Sequence, residues 1–117
     1  MIQARVTAEL WIKAHIRRCD AYGIPATVVR RGDRTAGAIL VKVNYLGPGC
    51  MVLAPANSLD GNISGGGRQW RRATGQPLVP ETEADAYIAR QLNMDPDLWV
   101  LEIEDREGRH LMEDILE

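Results

Sequence analysis

The stretch that decides the fold is Ala26–Tyr45, A-T-V-V-R-R-G-D-R-T-A-G-A-I-L-V-K-V-N-Y. In its second arm Ile39, Val41, Val43 and Tyr45 alternate with Leu40, Lys42 and Asn44, the period of two expected of a half-buried strand. The first arm, Ala26–Arg31, is short and β-branched. Between the arms lies Gly32-Asp33-Arg34-Thr35-Ala36-Gly37, whose glycines permit the positive φ that a chain reversal commonly needs. The expectation is a β-hairpin carrying Arg30, Arg31, Asp33 and Arg34 at or near its tip. Such a loop offers a scaffold and a charged surface, with no catalytic group.

Working outward, Ile2, Ala4 and Val6 alternate as an edge strand would. Thr7 fits an N-cap with Glu9 in the first turn, and a helix is expected from Ala8 to about Tyr22. Its apolar stripe is Ile12, Ile16 and Cys19, widened by Leu10, Trp11 and Ala14. Gly23 then suits a left-handed C-cap and Pro25 blocks continuation. Past the hairpin, Leu46-Gly47-Pro48-Gly49 reads as a turn, Cys50–Ala54 as a third strand, Pro55–Gly67 as a loop and Arg68–Thr74 as a fourth strand. Pro80 opens a helix to about Asn93, with Glu81, Glu83 and Asp85 near its start where the dipole favours them. Leu98–Glu104 is the last clear strand, and Arg109–Leu116 reads equally as a short strand or as one or two turns of helix. The order predicts an α+β fold: a mostly antiparallel sheet of about five strands with two helices packed on one face.

With 117 residues the chain fits one domain, residues 1–117, large enough to bury a core without staples. There is no Phe, so aromatic packing falls to three Trp and three Tyr. Two cysteines, no basic-then-apolar leader pattern and no apolar run of membrane-spanning length point to a cytoplasmic protein with no membrane contact. The net charge of −2 hides a polarised chain. Met1–Arg72 carries 11 Lys or Arg against 4 Asp or Glu, a balance of +7, whereas Ala73–Glu117 carries 3 against 12, a balance of −9. Such a division either marks an interaction surface or lets the two halves neutralise each other.

Arg68-Gln69-Trp70-Arg71-Arg72 is the sharpest binding candidate, beside the hairpin-tip Arg30, Arg31 and Arg34 and Lys42. An aromatic platform flanked by cations is how single-stranded nucleic acid is held; the competing reading turns Trp70 into the core with the arginine stems along its rim. Ser64-Gly65-Gly66-Gly67-Arg68 lacks the remainder of a phosphate-loop motif. His15, Cys19, Cys50 and His110 have the composition of a zinc site without its spacing, and Glu102, Glu104, Asp105 and Glu107 that of a Mg²⁺ site without a nearby Lys. No catalytic residue, metal ligand or cofactor is therefore assigned.

Trp11 with Arg17-Arg18-Cys19, R-G-D followed by A-G-A-I-L-V-K-V (Arg31–Val43), Trp70, E-A-D-A-Y (Glu83–Tyr87) and D-P-D-L-W-V-L-E-I-E-D-R-E-G-R-H (Asp95–His110) together resemble a family of short Gram-negative bacterial proteins classed as a domain of unknown function. The likeness runs over nearly the whole chain and implies a small bacterial cytosolic protein, with no activity or catalytic residues to carry over. The expected function, read from the charge division, is a non-enzymatic binding or adaptor domain. It would meet an acidic protein partner, or a second copy, through Arg30, Arg31, Arg34, Lys42, Arg68, Trp70, Arg71 and Arg72. Nucleic-acid or polyanion binding through Trp70 and a small metal-dependent enzyme are the alternatives, neither favoured, the former because the chain is acidic overall.

Overall fold

The computed structural model describes residues 6–56, 68–113 and 115–116. In chain order the elements are α1 (Ala8–Ala21), β1 (Ala26–Arg30), β2 (Ile39–Asn44), β3 (Cys50–Pro55), β4 (Trp70–Arg72), α2 (Glu81–Met94), β5 (Trp99–Glu104) and the two-residue β6 (Ile115–Leu116). Local signals set the helix ends as expected: the Thr7 side chain accepts from the Leu10 N–H, and Gly23 closes α1 with φ of 71°. Of the segment Arg109–Leu116, residues 109–113 form neither helix nor strand and Ile115–Leu116 is β6. Most of the expected edge strand Met1–Val6 and most of the Pro55–Gly67 loop lie outside the described residues.

The sheet order is β1-β5-β2-β3-β4-β6, and this corrects the reading of Ala26–Tyr45 as a hairpin. β1 and β2 do not pair. β5 lies between them, antiparallel to β1 (Val28 opposite Leu101) and parallel to β2 (Val41 opposite Leu101). The genuine hairpin is β2–β3, and β3–β4 is also antiparallel, so the sheet is mixed with antiparallel pairs in the majority. A strand that pairs in parallel with an earlier one must return by a crossover. Here β3, β4 and α2 make it, which brings β5 back beside β2.

That insertion overturns a second expectation, that both helices share one face. Ile39, Val41 and Val43 pack with Met51, Leu53, Trp99, Leu101 and Ile103 under the α1 residues Ala8, Ile12 and Cys19. Leu40, Val52 and Val100 pack on the other side under the α2 residues Ala84 and Ile88. The sheet is the middle layer, covered by one helix on each face. All six residues of β2 are buried, Lys42 and Asn44 included, so the alternation in I-L-V-K-V-N separates two interiors rather than an interior from water.

The connection from β1 to β2 arches over the start of β5. Asp33 N–H donates to the Asp97 carbonyl at 3.0 Å, Trp99 N–H to that of Ala38 at 2.9 Å, and the Trp99 indole N–H to that of Asp33 at 2.6 Å. Its glycines serve close approach rather than positive φ: a Cβ on Gly32 would collide with the Asp97 carbonyl oxygen and one on Gly37 would lie 2.7 Å from the same atom. Gly23, by contrast, has open space around it and only a left-handed φ. Gly32→Ala is therefore expected to cost about 3 kcal/mol, in the range of forced overpacking, and Gly23→Ala about 1 kcal/mol, the left-handed penalty. Urea unfolding of both variants checks this; equal losses would contradict the arch.

Candidate functional site

The eight expected binding residues fall in three places. Around the arch, Ala8 N–H and Glu9 N–H, unpaired within any helix at its start, donate to the carbonyls of Thr35 at 3.3 Å and Arg34 at 3.1 Å. This joins the arch to α1, and the Glu9 carboxylate then meets Arg31 at 2.9 Å and Arg34 at 3.3 Å. Both guanidiniums remain largely exposed, at 68% and 78%. Partial burial alone would push the Glu9 carboxyl up, but the positive charges of Arg34, Lys13 and Arg31 bring it below its usual range. Arg31 also lies over the Trp99 ring, 5.4 Å from its centroid, and Arg30 donates to the Pro96 carbonyl at 3.1 Å.

Lys42 is elsewhere, on the α2 side of the sheet and only 5% exposed. Its ammonium reaches Glu81 at 2.7 Å, Asp85 at 2.8 Å and Glu102 at 3.8 Å, while Asn44 donates to Glu102 at 3.1 Å. Burial alone would lower the Lys42 pKa; the hydrogen bonds it donates to Asp85 and Glu81 and the charge of Glu102 outweigh it and raise the pKa above its usual value. A lysine held this firmly as an ammonium is neither a nucleophile nor a reachable partner contact. It fastens α2 to β2.

Trp70, Arg68, Arg71 and Arg72 are on or beside β4. Trp70 is 3% exposed and packs against Trp11, ring centroids 5.2 Å apart, so it presents no open face for a stacked base. Arg71 and Arg72 are exposed, and Arg68 donates to the Val6 carbonyl at 3.0 Å. Arg68 and Trp70 line a cleft of about 150 Å³ with Trp11, His15 and Arg18 of α1 and the chain at Leu111–Glu113. Sequence reasoning missed this cleft because its walls join across most of the chain. His15 Nε2 donates to the His110 carbonyl at 2.8 Å and Arg18 to that of Leu111 at 3.4 Å, with Leu111 at a φ of 62° between the bonded stretches. Trp11 stacks on His15 at 4.7 Å. Burial holds both imidazoles below the ordinary histidine pKa.

The alternative constellations do not assemble. Cys19 is on α1 and Cys50, on β3, packs under α2, on opposite sides of the sheet, and burial raises both thiols. Glu102 belongs to the Lys42 network. Asp105 accepts from the Arg109 side chain at 2.8 Å and from the backbone N–H groups of Arg109 and Glu107, which hold its carboxyl down to about 2. Among the described residues no group of three or more His, Cys, Asp or Glu is placed to hold a metal ion. The Ser64–Gly67 stretch lies outside the described residues.

The fold and these sites define an α+β protein with a mixed sheet between two helices and a basic side built on α1. The chain belongs to the DUF1491 family, described as a protein of unknown function, whose sequence profile matches residues 6–113. It is similar to a DUF1491 family protein from Caulobacter crescentus CB15, a Gram-negative bacterium. The crystal structure of that protein gives 36% identity, a TM-score of 0.79 and coverage of 97% of this chain and 100% of that one. Its NMR structure gives 38% identity and the same TM-score over 98% of this chain and 100% of that one. The solution structure of protein Atu0922 from A. tumefaciens aligns at 32% identity and a TM-score of 0.73, covering 86% of each chain. No curated protein matches the sequence.

Removing Lys42 tests the fastening role. Lys42→Ala is expected to cost about 3 kcal/mol, near the low end for a broken buried pair because Glu81 and Asp85 can return to water. Lys42→Met, which keeps most of the stem, should cost about 1 kcal/mol less. Thermal or urea unfolding checks the pair, and a loss under about 0.5 kcal/mol for Lys42→Ala would class the network with surface ion pairs.

Proposed function

We propose that this chain is a non-enzymatic binding or adaptor module whose basic side docks an acidic protein partner. The observation that carries the reading is that one carboxylate, Glu9, serves Arg31, Arg34 and Lys13 together, which leaves positive charge in excess on exposed side chains. Arg17 continues that row one helical turn beyond Lys13, and Arg71 adds an exposed cation on β4. Glu81 and Asp85 are engaged on Lys42 across the sheet and Asp105 on Arg109, while Asp33, within the arch, accepts from the Thr35 and Ala36 backbone N–H groups. Charge separated in this way steers a complementary surface toward the molecule and fixes its orientation. Lys42 drops out of the docking set because it is buried. Direct nucleic-acid binding has less support, because Trp70 is covered and the chain is acidic overall.

The test compares a ten-residue Glu/Asp peptide with single-stranded oligo-dT by fluorescence anisotropy across a salt series. The expected result is saturable, salt-sensitive peptide binding at low salt, weakened about tenfold or more in Arg17→Glu/Arg31→Glu/Arg34→Glu. No peptide binding at low salt, or equal binding by the triple variant, would refute the proposal. Tighter binding of oligo-dT would favour the polyanion reading instead.

A further inference from the structure

The chain at residues 110–112 is tied by two histidines, and both ties need a neutral ring. His15 Nε2 faces the His110 carbonyl oxygen at 2.8 Å, and because a carbonyl can only accept, that nitrogen carries the ring proton. His110 is arranged the other way round. Its Nδ1 accepts from the Met112 backbone N–H at 3.0 Å, so that nitrogen keeps a lone pair.

A second proton on either ring disturbs this stretch. On His110 it would set one N–H against another and abolish the bond to Met112. On His15 it would occupy Nδ1, an atom buried with no hydrogen-bond partner among the described residues, on a side chain 1% exposed. A buried charge without a partner is costly. The neighbours of the pair oppose protonation further: Arg18 on α1 faces His15, while Arg72 on β4 and His15 itself face His110. Arg68 and Glu113 line the adjoining cleft, and Cys19, one turn beyond His15, is kept neutral by burial.

The stretch is a short bridge between two fixed points. Upstream, Arg109 is held by Asp105 at 2.8 Å; downstream, Ile115 and Leu116 pair with Trp70 and Arg71. Between them Leu111 has a φ of 62°, a conformation that leucine rarely adopts and that the surrounding bonds must impose. Arg18 adds only a long bond, 3.4 Å to the Leu111 carbonyl. We propose that residues 110–112 form an acid-released strap: protonation of His110 and His15 frees this stretch from α1 while the sheet stays folded, and uncovers Met112 and the Trp11 side of the cleft. The released strap binds protons with the ordinary histidine pKa of about 6.5 and the closed strap binds them more weakly. Closure is therefore fully favoured above that pH and weakens as pH falls, the opening constant rising by up to about tenfold per histidine and per pH unit.

Amide exchange and histidine-ring ¹⁵N spectra of the full chain, recorded from about pH 7.5 to about pH 5, test the strap. Protection of the Met112 amide, corrected for intrinsic exchange, is expected to fall at least about tenfold as both rings gain protons, while the Leu101 amide in the middle of the sheet keeps its protection. His15→Gln/His110→Asn supplies an amide N–H₂ near Nε2 and an amide oxygen near Nδ1, neither of which titrates, and should leave Met112 protection independent of pH. The wild-type titration decides the matter even if this variant does not fold. Met112 protection that is flat with pH, an equal loss at Leu101, rings that stay neutral while the strap opens, or a wild-type pH response in the folded double variant would each overturn the proposal.

Discussion

The parallel pairing of β2 with β5 is the constraint from which the rest of the architecture follows. Leu101 has Val28 on one side and Val41 on the other, so β5 is an interior strand whose two edges are both occupied. An interior strand between two helices must be apolar on both faces, and W-V-L-E-I-E and I-L-V-K-V-N meet that demand with few polar exceptions. Once β5 occupies that slot, the chain leaving β1 has to pass over its first residues to reach β2. The arch, its two crowded glycines and the indole bond of Trp99 are consequences of that passage.

The same arrangement sorts the charges. A lysine and an asparagine on a strand covered on both faces need partners, and α2 and β5 supply carboxylates to both. Acidic residues of the C-terminal half are thereby used on the α2 side. On the α1 side, the arch delivers Arg31 and Arg34 to a helix that already carries Lys13 and Arg17, with Glu9 as their shared counter-ion. The polarity of the linear sequence thus becomes a difference between two faces of a layered domain, and the docking proposal rests on that translation.

Much of the local structure was legible in the sequence. Thr7, Gly23 and Pro25 delimit α1 within a residue, and Pro80 with Glu81 and Glu83 marks the start of α2, because capping and dipole effects act over a single turn. Strand positions were legible too. Strand partners were not: two β-rich arms joined by a Gly-rich loop look the same whether they pair directly or admit a third strand 55 residues further on. A signal was nevertheless present. Leu40 sits on the supposedly wet face of β2, and C-M-V-L-A in β3 is apolar without alternation, which together indicate burial on both sides. Lys42 was misread as a surface cation for the same reason. The cleft was beyond reach, since His15 and His110 are 95 residues apart and only the folded chain brings them together.

The most direct measurement of this account is the set of cross-strand NOEs around Leu101 in uniformly labelled protein. Contacts from Leu101 to both Val28 and Val41, in antiparallel and parallel patterns respectively, are predicted, together with the slowest amide exchange in β2 and β5. Direct backbone NOEs between β1 and β2 in a hairpin register would contradict it, and the two-faced charge arrangement would fall with it.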